Sequence, residues 1–442
     1  MSRLLRGRSL AIVVAVATVI LGATTSTGGM QRGATASAAV SAPVTLRVWD
    51  QFSGTQNKIV SSIYASFTAL HPNIKIRREA INTTQMRQTV KTSLSSGTGP
   101  DIIYYDAGPG YAGVLAQAGL LHPLDAYAAQ YGWTKRILPS AIQGTKIRGQ
   151  IYGLPLEVDL IGVYYNQTLL DKAGLAAPQT FDQLLSFCHQ AKAKGYIPLA
   201  FSDNPGWQAF HQFSMMVNNL AGPEAIRNLL YTNQGSWNTP AMVRAIKLYF
   251  VDMQKAGCFS RTVNALGYDD ANSLFYKGKA LLNPTGSWLV SDIDTHIGRR
   301  YTIKMMPFPA ISGGKARAWV SGVGSAYYIA AKSAHPQEAA MFLDYLFSAQ
   351  ATKRWAEEAN LVLPVKVDTR TVTGMPVYKF VLDVLQSGLS GKTVFGYNID
   401  VLAPAKFNTE MQNGFQAILA GQKDPAREAS DLQAAWIQGM KK

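Results

Sequence analysis

Between Val44 and Tyr105 the hydrophobic period alternates between that of a strand and that of a helix, and this constrains the fold more than any other feature. Val44-Thr45-Leu46-Arg47-Val48-Trp49 alternates as a strand does. Ile59, Ile63, Phe67 and Leu70 then recur at helical spacing, and His71-Pro72-Asn73 stops that helix. Ile74 to Arg77 reads as a second strand, about Thr84 to Leu94 as a polar helix, and Ser96 to Pro100 as a turn. Asp101-Ile102-Ile103-Tyr104-Tyr105 is a short buried strand. Strand, helix, strand, helix, strand is the order of a doubly wound parallel sheet, and such sheets take ligands beyond the carboxyl ends of their strands.

A second unit begins near Ile161-Gly162-Val163-Tyr164-Tyr165. Helical patterns dominate it at Phe181 to Ala193, Trp207 to Leu220, Glu224 to Leu230 and Thr239 to Lys255. Pro198 to Phe201 and Lys279 to Asn283 read as its strands. Further helices are expected near 337–347, 349–359, 378–385, 405–420 and 424–436. The chain has 442 residues, 47% hydrophobic and 16% charged, which suits two or three soluble domains rather than a disordered chain.

The amino terminus reads differently. Arg3, Arg6 and Arg8 precede an apolar run from Leu10 to Leu21, and Ala36-Ser37-Ala38 has the small residues of a signal-peptidase site. Residues 1–38 are therefore expected to be a secretory signal, too short in its apolar run to span a bilayer. Its four arginines lower the formal charge from +15 to +11 in the mature chain. The basic residues are scattered, which suits a solvated surface and no nucleic-acid partner. The two cysteines, Cys188 and Cys258, would reach an oxidising compartment where they can pair; the sequence leaves open whether they do.

Enzyme motifs are missing: no P-loop, no HExxH and no GxSxG. The histidines lack metal-ligand spacing, so no metal and no cofactor is expected. Glu157 and Asp159 could suggest glycoside hydrolysis, but nothing in the sequence separates them into acid and base. Aromatic residues at turns are more informative. Trp207 follows Ser202-Asp203-Asn204-Pro205-Gly206, and Trp288 follows Asn283-Pro284-Thr285-Gly286-Ser287; Trp319 and Tyr105 sit at comparable junctions. Small Gly286 and Ser287 are expected to let the backbone pass close to a ligand. Aromatic planes beside Asp, Asn and Gln suit a pyranose, whose ring faces are apolar and whose hydroxyls need donors and acceptors.

Gly97-Thr98-Gly99-Pro100-Asp101-Ile102-Ile103 resembles the GxGPDI signature of family 1 extracellular solute-binding proteins, the maltose-binding-protein-like subunits of carbohydrate ABC importers. Tyr152-Gly153-Leu154-Pro155-Leu156-Glu157-Val158-Asp159, continuing to Tyr164-Tyr165-Asn166, is similar to their YGLPxxxD…YYN segment. Ala173-Gly174-Leu175 with Pro178-Gln179-Thr180-Phe181-Asp182 resembles their AGL…PxTWDEL helix start. Phe275-Tyr276-Lys277-Gly278-Lys279-Ala280 through Gly286-Ser287-Trp288 resembles FxxGKAAM…GxW, with Leu281-Leu282 in place of Ala-Met. The matches run in family order from about Thr45 to about Leu419. The lipid-anchoring cysteine common in Gram-positive members is missing from the signal region.

The resemblance implies a periplasmic-binding-protein fold of two α/β lobes, each a doubly wound sheet, joined by several chain crossings. Lobe one would hold 43–157 and 325–370, and lobe two 158–324 and 371–442. The ligand would lie between them, against Gln51, Phe52 and Ser53 after the first strand, and Tyr105 and Asp106 after the third. Glu157 and Asp159 would meet it at the first crossing, Asn204, Trp207 and Trp288 from lobe-two loops, Trp319, Ser321 and Gly322 at the second crossing, and Asp400 from the late segment. Capture would proceed by lobe closure, and the closed form of this secreted, monomeric protein would deliver a mono- or oligosaccharide to membrane permease subunits served by a separate ATPase. The alternatives are the same fold holding a polyamine on its cleft carboxylates, or a secreted glycosidase.

Overall fold

The computed structural model describes residues 43–204, 206–260, 262–365 and 373–441; the expected signal at 1–38 lies outside them. The alternating segments form β1 (Val44–Asp50), β2 (Ile74–Ala80) and β3 (Ile102–Asp106). They pair in parallel, with Val44 opposite Ile74 and Val48 opposite Ile102. Helices Gly54–Leu70 and Thr83–Ser96 return the chain between them. Asn82 caps the second by accepting from the Gln85 N–H, and Gly97 ends it at φ 79°, in the left-handed region that glycine tolerates.

Among the described residues ten further strands follow, eight completing two sheets and two forming a separate hairpin. They are β4 (Lys146–Ile147) and β5 (Gln150–Ile151), which form a small hairpin, then β6 (Gly153–Pro155), β7 (Val158–Asn166), β8 (Ile197–Leu199), β9 (Ala280–Gly286), β10 (Ile303–Met306), β11 (Trp319–Val323), β12 (Ser325–Ile329) and β13 (Phe395–Tyr397). The first sheet has the order β2-β1-β3-β12-β6, and the second β13-β11-β7-β9-β8, with β10 also on β7. Both are mixed. β12 runs antiparallel to β3 and β6, and β7 runs antiparallel to β9, β10 and β11. β10 and β11 share one edge of β7, taking Val163–Asn166 and Val158–Ile161 respectively.

Each sheet is covered on both faces, giving the two-lobed architecture. One face of the first packs Leu46, Val48, Phe67, Trp133 and Phe342, the other Met86, Val90, Ile103 and Tyr328. The second packs Phe213, Trp237, Phe250 and Phe415 on one face and Tyr164, Leu289, Val290 and Val381 on the other. Double coverage explains why every residue of β3 and β9 is buried.

β9 runs further than its sequence suggests. It continues through Pro284 to Gly286, with Pro284 opposite Val163. Proline lacks an N–H and is tolerated only where no ladder bond is needed. β8 pairs with Ala280 and Leu282 and stops there, so the far side of Pro284 needs no partner strand.

Cys188, on helix Phe181–Ala193, is bonded to Cys258, with Cα atoms 4.8 Å apart and 70 residues between them. Both sulfurs are sealed in the second core. Closing a loop of that length is worth about 2–4 kcal/mol. The double substitution Cys188→Ala/Cys258→Ala should therefore lower stability to chemical denaturation by that amount. Titration of denatured, non-reduced protein should find no free thiol, and two reactive thiols would overturn the bridge.

Candidate functional site

Two strands, β1 and β3, end in carboxylates, and each is held differently. Asp50, at the end of β1, is fully buried. Arg78 donates to both its oxygens at 2.6 and 2.7 Å, and the Tyr64 hydroxyl and Phe52 N–H each donate at 3.2 Å. Four donors leave Asp50 as a brace. Gln51 follows; its amide donates to the Tyr104 carbonyl at 3.4 Å and accepts from the Thr83 hydroxyl at 2.8 Å.

Asp106, at the end of β3, receives a two-pronged bond from Arg87 at 2.9 and 3.0 Å, the geometry that suits guanidinium to carboxylate. The guanidinium lies 4.6 Å over the Tyr111 ring, and the Tyr111 hydroxyl donates to Asp400 Oδ2 at 3.3 Å. This chain of contacts ties the first sheet to the segment after β13. The approach is close: a Cβ at Gly108 would fall 1.8 Å from the Val401 carbonyl, so only glycine fits there.

Glu157 precedes β7 and Asp159 lies within it. Tyr104 donates its hydroxyl to Glu157 Oε2 at 3.2 Å. Asp159 is opposite Gly322, and a Cβ at Gly324 would fall 2.0 Å from Asp159 Oδ2. Gly324 leaves the carboxylate its space. Burial raises Glu157 to about 7 against the Tyr104 bond, and raises Asp400 to about 6 although Arg87 opposes it. Asp159 is raised by burial and then by Glu157, Asp400 and Asp106.

The second group is aromatic. Trp207 leads into helix Gln208–Leu220, which carries His211 one turn on. Trp288 stands on the short turn Ser287–Leu289 beyond β9. Ring centroids are 4.7 Å apart for Trp207 and Tyr268, 6.4 Å for Trp207 and Trp288, and 5.1 Å for His211 and Trp288. Trp288 Nε1 donates to the Tyr268 hydroxyl at 2.7 Å, and that hydroxyl meets Thr285 Oγ1 at 2.9 Å. Both indoles remain half-buried. Burial and then the Arg87 charge lower His211 to about 3, so it is neutral near pH 7 and lies within electrostatic reach of Arg87.

The small residues before Trp288 serve another purpose than the sequence suggested. A Cβ at Gly286 would fall 2.0 Å from the Trp288 ring, so Gly286 makes room for that indole itself. Ser287 accepts from the Leu160 N–H at 3.1 Å and braces β7. Three expected ligand contacts turn inward instead. Phe52 stacks on Tyr104 at 4.6 Å in the first core, Tyr105 packs with Ile103 and Tyr328, and Trp319 packs in the second core against Gly162. Large rings beside a strand end are drawn under the covering helices, where burial is worth most. Asn204 and Ser53 are exposed, and Ser321 accepts from the Asn398 N–H through its carbonyl.

Sequence reading missed Arg87, Tyr111, His211, Tyr268 and Asn398. His211 was within reach, four residues after Trp207 and so on the same helix face; Arg87 on a polar helix gave no signal. A cavity of about 530 Å³ adjoins the same strands, lined by Val158, Val323, Leu385, Phe395 and Tyr397. Val158 and Val323 are cross-strand partners one step out of phase with Asp159 and Gly322, so these valines face away from the carboxylates. Among the described residues no cluster could hold a metal ion, and no helix is long and apolar enough to cross a membrane.

A carboxyl with a higher pKa in the folded state stabilises the fold below its unfolded value and loses that contribution as pH rises through the folded value. For Glu157 the window runs from 4.5 to about 7. Glu157→Gln should therefore gain stability over the parent as pH rises across that window, measured as the difference between ligand-free melting curves. Parallel curves would show that Glu157 is not held up by burial.

Residues 50–353 match the family model described as bacterial extracellular solute-binding protein. The multiple sugar-binding protein of Streptococcus mutans serotype c is 25% identical over 321 residues, 70% of this chain and 72% of its own. Among solved structures, a chitin oligosaccharide binding protein superposes with a TM-score of 0.78 at 22% identity, covering 90% of this chain and 99% of its own. The maltose/maltodextrin-binding domain of Bdellovibrio bacteriovorus bound to maltotriose gives 0.71 at 20%, covering 89% and 99%. The chain belongs to the bacterial extracellular solute-binding protein family.

Proposed function

We propose that this protein captures a mono- or oligosaccharide between its lobes and delivers it to the permease of an ABC importer. The observation that carries the reading is the set of four rings, Trp207, His211, Tyr268 and Trp288, of which His211 lies within electrostatic reach of Arg87, the partner of Asp106. Half-buried indoles offer faces on which a pyranose stacks, and the charged group offers the planar donors and acceptors its hydroxyls need. Relatives named for multiple sugars and for maltotriose support the same ligand class.

In this reading the lobes divide at 157/158 and 324/325, the expected third division at 370/371 lying outside the described residues, and the segments near Glu157–Asp159 and Ser321–Ser325 act as the hinge. Ligand bound on one lobe favours the closed form, which docks on the membrane subunits. The protein acts outside the membrane, as its family does, and carries out no chemistry on the sugar.

Thermal shift against maltotriose, raffinose and N,N′-diacetylchitobiose should find at least one saccharide that raises the melting temperature. No shift with any saccharide would overturn the ligand class. Trp288→Ala should lose affinity about thirtyfold, the equivalent of about 2 kcal/mol. Part of this indole packs on both faces of the second core, so Trp288→Phe serves as the control that keeps the packing. Unchanged affinity in Trp288→Ala would remove the stacking role. Incubation with chromogenic glycosides should release no chromophore.

A further inference from the structure

The polar groups around the start of β7 are unbalanced in one direction. Asp159 is only 4% exposed, and no described residue donates a hydrogen bond to it. Its ladder neighbours Gly322 and Gly324 bring no side chain. Nearby, Glu157 Oε1, Asp400 Oδ1 and Asn398 Oδ1 are buried without a partner among the described residues. Asn398 lies against the Gly322 backbone, where a Cβ at Gly322 would fall 3.2 Å from the Asn398 Cβ, and so on the face of the ladder that carries Asp159. Every one of these orphan atoms is an acceptor.

Charge runs the same way. Asp159 has Glu157, Asp400 and Asp106 within electrostatic reach. Among the described residues the nearby cation is Arg87, already committed to Asp106 and stacked on Tyr111. Arg78 is committed to Asp50. The available hydroxyls, on Tyr104 and Tyr111, are spent on the other oxygens of Glu157 and Asp400.

We infer that the saccharide taken by this cleft carries a protonated amine, presented to Asp159 as a free amino sugar presents its ammonium. This rests on the sugar reading and narrows it. A hydroxyl supplies one donor and brings lone pairs of its own into a region already rich in acceptors. An ammonium supplies three donors and no acceptor, and neutralises one of the buried charges. A buried carboxylate without a partner is costly, so the group that supplies both donors and charge is favoured. Asn398, uncharged and separate from the acidic residues, needs a donor from the same direction.

The test uses ligands that differ only at the second carbon of the ring. Glucosamine, N-acetylglucosamine and glucose form one series; the β1,4-linked disaccharides of the same three sugars form the other. Calorimetry at pH 7 should find an amine-bearing sugar bound at least about tenfold tighter than its acetylated and hydroxyl counterparts in one series or both. Asp159→Asn should reduce that preference to about twofold or less while the ligand-free melting temperature shows the variant folded; Asp400→Asn serves if it does not fold. Equal or tighter binding of the neutral counterparts overturns the proposal, as does a preference that survives both substitutions. If raffinose or maltotriose binds and none of the amines does, the proposal fails and the sugar reading stands. If no saccharide binds, both fail together.

Discussion

Two neighbouring chain segments carry the connection on which the rest of the molecule depends. One runs from β6 through Glu157 into β7, the other from β11 through Gly324 into β12. They pair as an antiparallel ribbon, Val158 opposite Val323 and Asp159 opposite Gly322, and within a few residues the same two segments pair again in the other sheet, Pro155 opposite Ala326. A ribbon continuous with both sheets transmits the position of one to the other. Because side chains alternate across it, it presents valines to one face and a carboxylate to the other.

That alternation explains how function and architecture share so few residues. A bulky residue at Gly322 would crowd Asn398 and one at Gly324 would crowd Asp159, so the space around these polar groups depends on missing side chains. The contact between Gly108 and Val401 applies a similar constraint at a distance. Here the two halves meet backbone to backbone, and closeness of approach is set by the lack of a single carbon atom. Such contacts have sharp onset, which suits a molecule that must hold discrete arrangements rather than deform continuously.

Much of this was legible in the residues. Alternation at Val44–Trp49 and helical spacing from Ile59 to Leu70 are local properties, and they located β1 and its helix. Strand ends are local too, which is why Gln51, Asp106 and Asp159 could be named as candidates. What escaped depends on contacts between distant segments. Nothing near Arg87 indicates that its partners are Asp106, Tyr111 and, through it, Asp400. Phe52 and Trp319 show the opposite failure. Each stands at a strand junction as Trp207 and Trp288 do, and only the covering helices decide that these rings pack inward.

The Cys188–Cys258 bridge has a further consequence, for the order of events in the protein's life. A bridge of this kind closes only in oxidising surroundings. Until then the second core lacks the crosslink between helix Phe181–Ala193 and the chain after Lys255. A family member that works outside the membrane thus gains the full stability of its larger helical half only once oxidising surroundings have closed the bridge.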